Sequence, residues 1–99
     1  MVRHIVSWNF KEELTPEEKA GHGLKIKKDL EALKSVIEGI QELTVIVSPL
    51  PSSNAEIVLN SLFETEEALA AYQIHPEHKK ASSFVGSVTK DRRCLDFLE

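Results

Sequence analysis

Val2-Arg3-His4-Ile5-Val6-Ser7-Trp8-Asn9-Phe10 alternates strictly, with Val2, His4, Val6, Trp8 and Phe10 on one side and Arg3, Ile5, Ser7 and Asn9 on the other. A period of two is that of a β-strand, whose successive side chains point to opposite faces. The first set is the thicker apolar face and is expected to meet helices, which puts His4 inside a hydrophobic layer. An imidazole buried there needs a hydrogen-bond partner or a hydrated cavity. A satisfied core histidine and a ligand-facing one both meet that need.

Moving outward, Thr15-Pro16-Glu17-Glu18 is a helix start: the threonine hydroxyl caps free backbone donors, Pro16 takes the first helical position and Glu18 completes a capping box. Beyond it Leu24, Ile26, Leu30, Leu33 and Ile37 include the 26, 30, 33, 37 spacing of one apolar face, while Lys27, Lys28, Glu31 and Lys34 populate the opposite side. Gly39 is the expected stop. Gly21 and Gly23 each weaken the first turns by roughly 1 kcal/mol relative to alanine, and His22 between them is read as exposed.

Ile40 to Val47 reads as a second strand and Glu56 to Phe63 as a third, joined by a surface loop containing Pro49, Pro51, Ser52, Ser53 and Asn54. Thr65, Glu66 and Glu67 repeat the helix-start chemistry. The helix runs through Ala68, Leu69 and Tyr72 into the run Ala71-Tyr72-Gln73-Ile74-His75-Pro76-Glu77-His78, where Pro76 forces a break and biases His75 toward an extended backbone. Glu77 to about Val88 is a further short helix, with Ala81, Phe84, Val85 and Val88 inward. Asp91 to Leu98 closes the chain as a fourth strand, alternating Arg93, Leu95 and Phe97 with Cys94, Asp96 and Leu98.

Strand, helix, strand, strand, helix, strand is the ferredoxin-like plan, an α+β fold in which one antiparallel sheet carries its helices on one face. One domain over residues 1–99 accounts for the chain. The other sheet face would hold Ile5, Ser7 and whichever of the Thr44 and Ile46, Val58 and Leu62, and Cys94 and Leu98 sets lie there. Such a face is too apolar to leave against water, so a homodimer through the open sheet face is expected.

Composition narrows the function classes. A formal net charge of -4 gives no basic patch for phosphate backbones, so no nucleic-acid partner is expected. No apolar run approaches the ~20 residues that span a bilayer, so no membrane partner is expected either. Arg3, His4, Ser7 and Asn9 interrupt any secretory apolar stretch. The single cysteine, Cys94, excludes an intrachain disulfide and suits a reducing, cytoplasmic setting. It also leaves no second thiolate for zinc. His75 and His78 are three apart, but Pro76 between them breaks the helical geometry that would align two ligands, so no metal is expected. Phosphate-cradling loops and Gly-x-Ser-x-Gly turns are absent, and no cofactor is expected.

The Arg3-His4-Ile5-Val6 opening, the Phe10-Lys11-Glu12-Glu13 strand exit, Phe63-Glu64, the Ala68-Leu69, Ala71-Tyr72 and His75-Pro76-Glu77-His78 run, and the closing Asp91-Arg92 together resemble the stress-responsive dimeric A/B-barrel, or Dabb, family. The resemblance covers essentially the whole chain and implies two ferredoxin-like sheets paired into a dimeric barrel. It implies less about activity, because the fold is shared by monooxygenases, isomerases and binding proteins. One plant branch is similar to polyketide cyclases, and on that likeness His78 would be a base, Tyr72 a hydrogen-bond donor and His4 an orienting group. A second tyrosine that those enzymes carry on the first helix is Ile26 here.

The expected ligand pocket comprises His4, Val6, Trp8, Ile26, Tyr72, His75, His78 and Phe84, in a cleft between sheet and helices. Three readings stand: a stress-responsive homodimer binding a small apolar or aromatic molecule, a cofactor-independent cyclase, lyase or monooxygenase using His78 and Tyr72, and a structural assembly protein.

Overall fold

The computed structural model describes residues 1–99. Its elements follow the expected order: β1 (Val2–Phe10), α1 (Pro16–Glu31) running into a 3-10 turn (Ala32–Ser35), β2 (Ile40–Ile46), β3 (Ile57–Phe63), α2 (Glu66–Ile74), α3 (Pro76–Val88) and β4 (Thr89–Leu98). All neighbours in the β2-β3-β1-β4 sheet are antiparallel.

The local signals act as the residues dictate. Glu18 N–H donates to Thr15 Oγ1 at 3.1 Å while Thr15 N–H donates to Glu18 Oε1 at 2.9 Å, closing the capping box at the start of α1. Such a cap stabilises a helix by about 1 kcal/mol. The connection into β2 turns at Gly39, whose φ of 90° is open to glycine. A Cβ there would lie 2.6 Å from Ala68 Cβ, so space and backbone both require the bare residue.

Every second residue of β1 from Val2 to Phe10 is buried, and these residues pack with Ile26, Leu30 and Leu33 beneath α1. Burying a large aliphatic side chain contributes about 1.5–3 kcal/mol, so this layer sets the sheet against the helices. Leu24, two residues from Ile26 and so about 200° round the helix, lies outside the apolar stripe and stays exposed. Lys27 is more than a solvated charge. Its ammonium donates to Val45 O and to Glu31 Oε2, both at 2.7 Å, and Glu31 Oε2 accepts from Val45 N–H at 2.9 Å. The two side chains thereby satisfy backbone groups on the free edge of β2, which would otherwise invite another strand.

The opposite edge contains the fold's main departure from simple alternation. β4 starts directly after α3, with buried Thr89 opposite Phe10 and Lys90 opposite Asn9. Asp91 then adopts φ 56° and the register shifts between Ser7 and Asn9. One extra residue in a strand flips all later side chains to the other face. Cys94, Asp96 and Leu98 consequently pair with Val6, His4 and Val2 on the helix side, while Arg93, Leu95 and Phe97 pair with Ser7, Ile5 and Arg3 on the open side. Of the residue sets considered for the open face, Thr44 and Ile46 and also Val58 and Leu62 are there; Cys94 and Leu98 are not.

Candidate functional site

The corner between α2 and α3 follows from three residues. Thr65 Oγ1 accepts from Ala68 N–H at 3.0 Å and starts α2. His75 ends it with extended backbone, φ -65° and ψ 135°. The His75 ring Nδ1 accepts from Glu77 N–H at 3.1 Å, capping α3, whose first position is Pro76. The chain therefore turns without losing its terminal hydrogen bonds. Tyr72 in the last turns of α2 and His78 in the first turn of α3 are brought side by side, their ring centroids 4.3 Å apart.

His78 Nδ1 lies 3.3 Å from Gln73 O. A carbonyl only accepts, so Nδ1 carries the proton and Nε2 is left as an acceptor. Burial pushes the His78 pKa below its usual 6.5; the bond to Gln73 opposes this, and the nearby Arg92 charge adds to the downward push.

The sheet supplies His4, only 2% exposed, with its ring 6.3 Å from that of Tyr72. Its Nδ1 is bonded to Asp96 Oδ1 across the β1–β4 pair. The carboxylate accepts the Nδ1 proton, so in the neutral ring Nε2 is the acceptor. Tyr72 is fully buried, packs its ring 4.9 Å from that of Phe63, and has its phenol pushed up to about 12 by burial. Its hydroxyl is buried without a hydrogen-bond partner. Leaving such a group unpaired costs about 1–3 kcal/mol.

These side chains border one cavity of about 130 Å³ between the sheet and the helices. Of the residues expected to line it, His4, Val6, Trp8, Tyr72 and His78 do so. Ile26 instead lies wholly in the core, and His75 serves as the cap of α3. Phe84 borders a separate groove of about 310 Å³ between α1 and α3, under the Lys25 ammonium at 4.9 Å and edge-on to His22 at 5.4 Å. His22 is thus half-buried against an aromatic ring.

The cavity wall also includes Ser82, Val85 and Gly86, which follow His78 by four, seven and eight positions. That spacing marks one helical face and was available from the sequence. Arg92 and Asp96 carried no comparable signal, since their side depends on the bulge at Asp91. His4, His75 and His78 do not form a ligand set. The group of metal-ligating side chains in the fold is His4, Cys94 and Asp96.

The family described as Stress responsive A/B Barrel Domain matches residues 2–99. No curated protein matches the chain. Among solved structures, a dimeric protein of unknown function and ferredoxin-like fold from Bacteroides fragilis is 29% identical, with a TM-score of 0.90 over 97% of this chain and 93% of the other. A Dabb family protein with a ferredoxin-like fold from Mesorhizobium loti is 18% identical, TM-score 0.74, over 99% and 95% of the two chains. A hydroxynitrile lyase from Passiflora edulis is 14% identical, TM-score 0.73, over 97% and 90%. No helix of the chain is long and apolar enough to cross a membrane.

Proposed function

The chain belongs to the stress responsive A/B barrel domain family, and we propose that it acts as a homodimer, each protomer binding one ring-sized, mainly apolar molecule that carries an oxygen acceptor. The observation that carries the binding reading is the Tyr72 hydroxyl, buried at the cavity wall with no partner of its own. A carbonyl or phenol oxygen placed beside it would supply the missing acceptor and recover most of the cost of burial. At about 130 Å³ the cavity is far smaller than the 300–1,000 Å³ of drug-sized sites, and close to the roughly 150 Å³ cavity known to hold benzene. Its size favours a single ring over an extended polyketide.

The homodimer is supported by the open sheet face, where Ile46, Leu95 and Phe97 are exposed, and by the dimeric Bacteroides fragilis relative. Pairing through this face would leave the cavity, which lies on the helix side, in each protomer.

A second reading, a cofactor-independent enzyme with lyase or cyclase chemistry, is favoured by the way both imidazoles are oriented. Gln73 O and Asp96 accept the Nδ1 protons of His78 and His4, so each neutral ring keeps an Nε2 lone pair to accept a proton. An imidazole so held removes a proton next to a carbonyl or from a hydroxyl, and the Tyr72 phenol donates to the oxygen that gains charge. The Passiflora edulis lyase shares the fold.

Benzaldehyde and phenol titrated into the protein by calorimetry test the binding reading. One saturable site per protomer, weakened in Tyr72→Phe, supports it; no saturable binding of either probe refutes it. Turnover of an aromatic cyanohydrin, lost in His78→Ala while the fold persists, separates the enzyme from the binder.

A further inference from the structure

We infer that His4, Cys94 and Asp96 form a binding site for a borderline divalent transition metal, Zn²⁺ by class, on the β1–β4 edge beside the cavity. Cys94 and Asp96 are two apart on β4 and point to one face, the helix side, because of the bulge at Asp91. There they meet His4, the register partner of Asp96. Cys94 Sγ lies 3.7 Å from His4 Nδ1 and 3.5 Å from Asp96 Oδ1. With bonds of about 2.3 Å to sulfur and about 2.1 Å to nitrogen and oxygen, neighbouring ligands of a tetrahedral ion stand about 3.4–3.6 Å apart. The two edges to sulfur, 3.7 and 3.5 Å, each lie within about 0.1 Å of the roughly 3.6 Å such an edge takes. The third, His4 to Asp96, is closed by the hydrogen bond from Nδ1, whose proton the cation would replace, drawing the two side chains apart.

The donor set selects the metal. One imidazole nitrogen, one thiolate and one carboxylate oxygen suit Zn²⁺ and its neighbours, whereas Mg²⁺ and Ca²⁺ take oxygen. Thiolate and carboxylate together carry two negative charges, which a divalent ion neutralises. The buried imidazole is held firmly while Cys94 and Asp96 are exposed on an edge strand, so an ion has a path in and a fourth position open to solvent.

Occupancy would also alter the cavity. With Nδ1 bound to metal, the neutral His4 ring carries its proton on Nε2, so the nitrogen left free by Asp96 changes from acceptor to donor. This consequence, unlike the site itself, rests on the pocket reading.

Reduced, untagged protein titrated with Co²⁺ tests the site. One equivalent per chain should bind and give a thiolate-to-cobalt charge-transfer band, which Zn²⁺ then bleaches. Cys94→Ser should abolish the band, and Asp96→Asn should weaken Co²⁺ affinity by at least about tenfold. Both positions are exposed, so each variant should fold, which circular dichroism checks. Absence of the band in the unaltered protein, or a Co²⁺ affinity unchanged in Asp96→Asn, overturns the site. Benzaldehyde binding measured on the metal-free protein reports on the pocket separately, so failure of one assay is distinguishable from failure of the other.

Discussion

Arg3 and Tyr72 each place a polar group among apolar neighbours, one on each side of the same sheet, and the chain treats them in opposite ways. Arg3 donates to Glu99 at 3.0 and 2.6 Å, to Glu42 at 3.0 Å and to Asn60 at 3.1 Å. Its hydrogen bonds to Glu99 and Glu42 hold the guanidinium still more firmly protonated than usual. Those contacts join β1 to β2, β3 and the end of the chain, and they use the fork of donors on partners already present. Tyr72 has no partner for its hydroxyl. A polar group whose partners are all internal fixes register; one left unpaired beside a cavity marks where a second molecule fits.

The open face is the place to break that contrast most severely. Ile5 sits at its centre between Asn60 and Leu95. Replacing it with aspartate would bury an unpaired carboxylate in the proposed interface, a penalty of several kcal/mol or about a 1,000-fold loss of association. Sedimentation should change from a dimer to the 11.1 kDa monomer at micromolar concentration. An unaltered dimer would place the interface elsewhere, while benzaldehyde binding on the helix side should persist in either case.

On the covered face, Tyr72 is the chain's one tyrosine, so its ionisation can be followed by phenolate absorbance without ambiguity. Burial should delay that absorbance from pH 10 to about 12, roughly a hundredfold change in proton affinity. Because the folded value is raised, the associated stability is complete below pH 10 and is lost as pH rises toward 12. Onset near pH 10 in protein that is still folded would mean that water reaches the hydroxyl.

A smaller effect separates the two polar groups directly. Tyr72→Phe removes an unpaired hydroxyl and should raise stability by about 1 kcal/mol, while weakening benzaldehyde by about 2- to 10-fold through one lost hydrogen bond. Arg3→Gln should lower the denaturation midpoint, because Glu42 and Glu99 lose their shared cation. Stability changes of the same sign in the two variants would show that Tyr72 is a satisfied core residue after all.

Much of this contrast is legible in the sequence, and its limits have one physical source. Alternation in β1, the Thr15 and Thr65 caps and the Pro76 corner are local signals, and each acts where its residues stand. His4, Tyr72 and His78 could be placed near one another because strand period and helix break were both readable. β4 was different. From Lys90 to Leu98 its residues are charged or exposed, so no apolar face announces its register. The one-residue slip at Asp91 decides whether Cys94 and Asp96 lie beside His4 or across the sheet from it, and only pairing with β1 resolves that. The same slip hid Arg92 from the cavity wall. Ile26 and Phe84 fall outside the cavity for another reason: helical periodicity identifies the inward side of a helix without saying which inward residues meet a void.

The smallest expected effect concerns His78, the imidazole that the Tyr72 ring covers. Burial lowers its folded pKa below the ordinary 6.5, so the unfolded chain binds the proton more readily. The resulting stability is therefore complete above about pH 6.5 and declines as the solution is acidified below it. In the same range a proton on Nε2 turns the ring from acceptor to donor. Phenol, which would donate its hydroxyl hydrogen to that nitrogen, should lose affinity as pH falls, whereas benzaldehyde, which offers only an acceptor, should lose less. Titration of the carbon-bound imidazole protons by NMR, assigned with His78→Asn, gives the midpoint directly. A midpoint at or above 6.5, or equal pH dependence for the two probes, would remove His78 from the acceptor side of the cavity and leave the Tyr72 hydroxyl as its remaining polar contact of known direction.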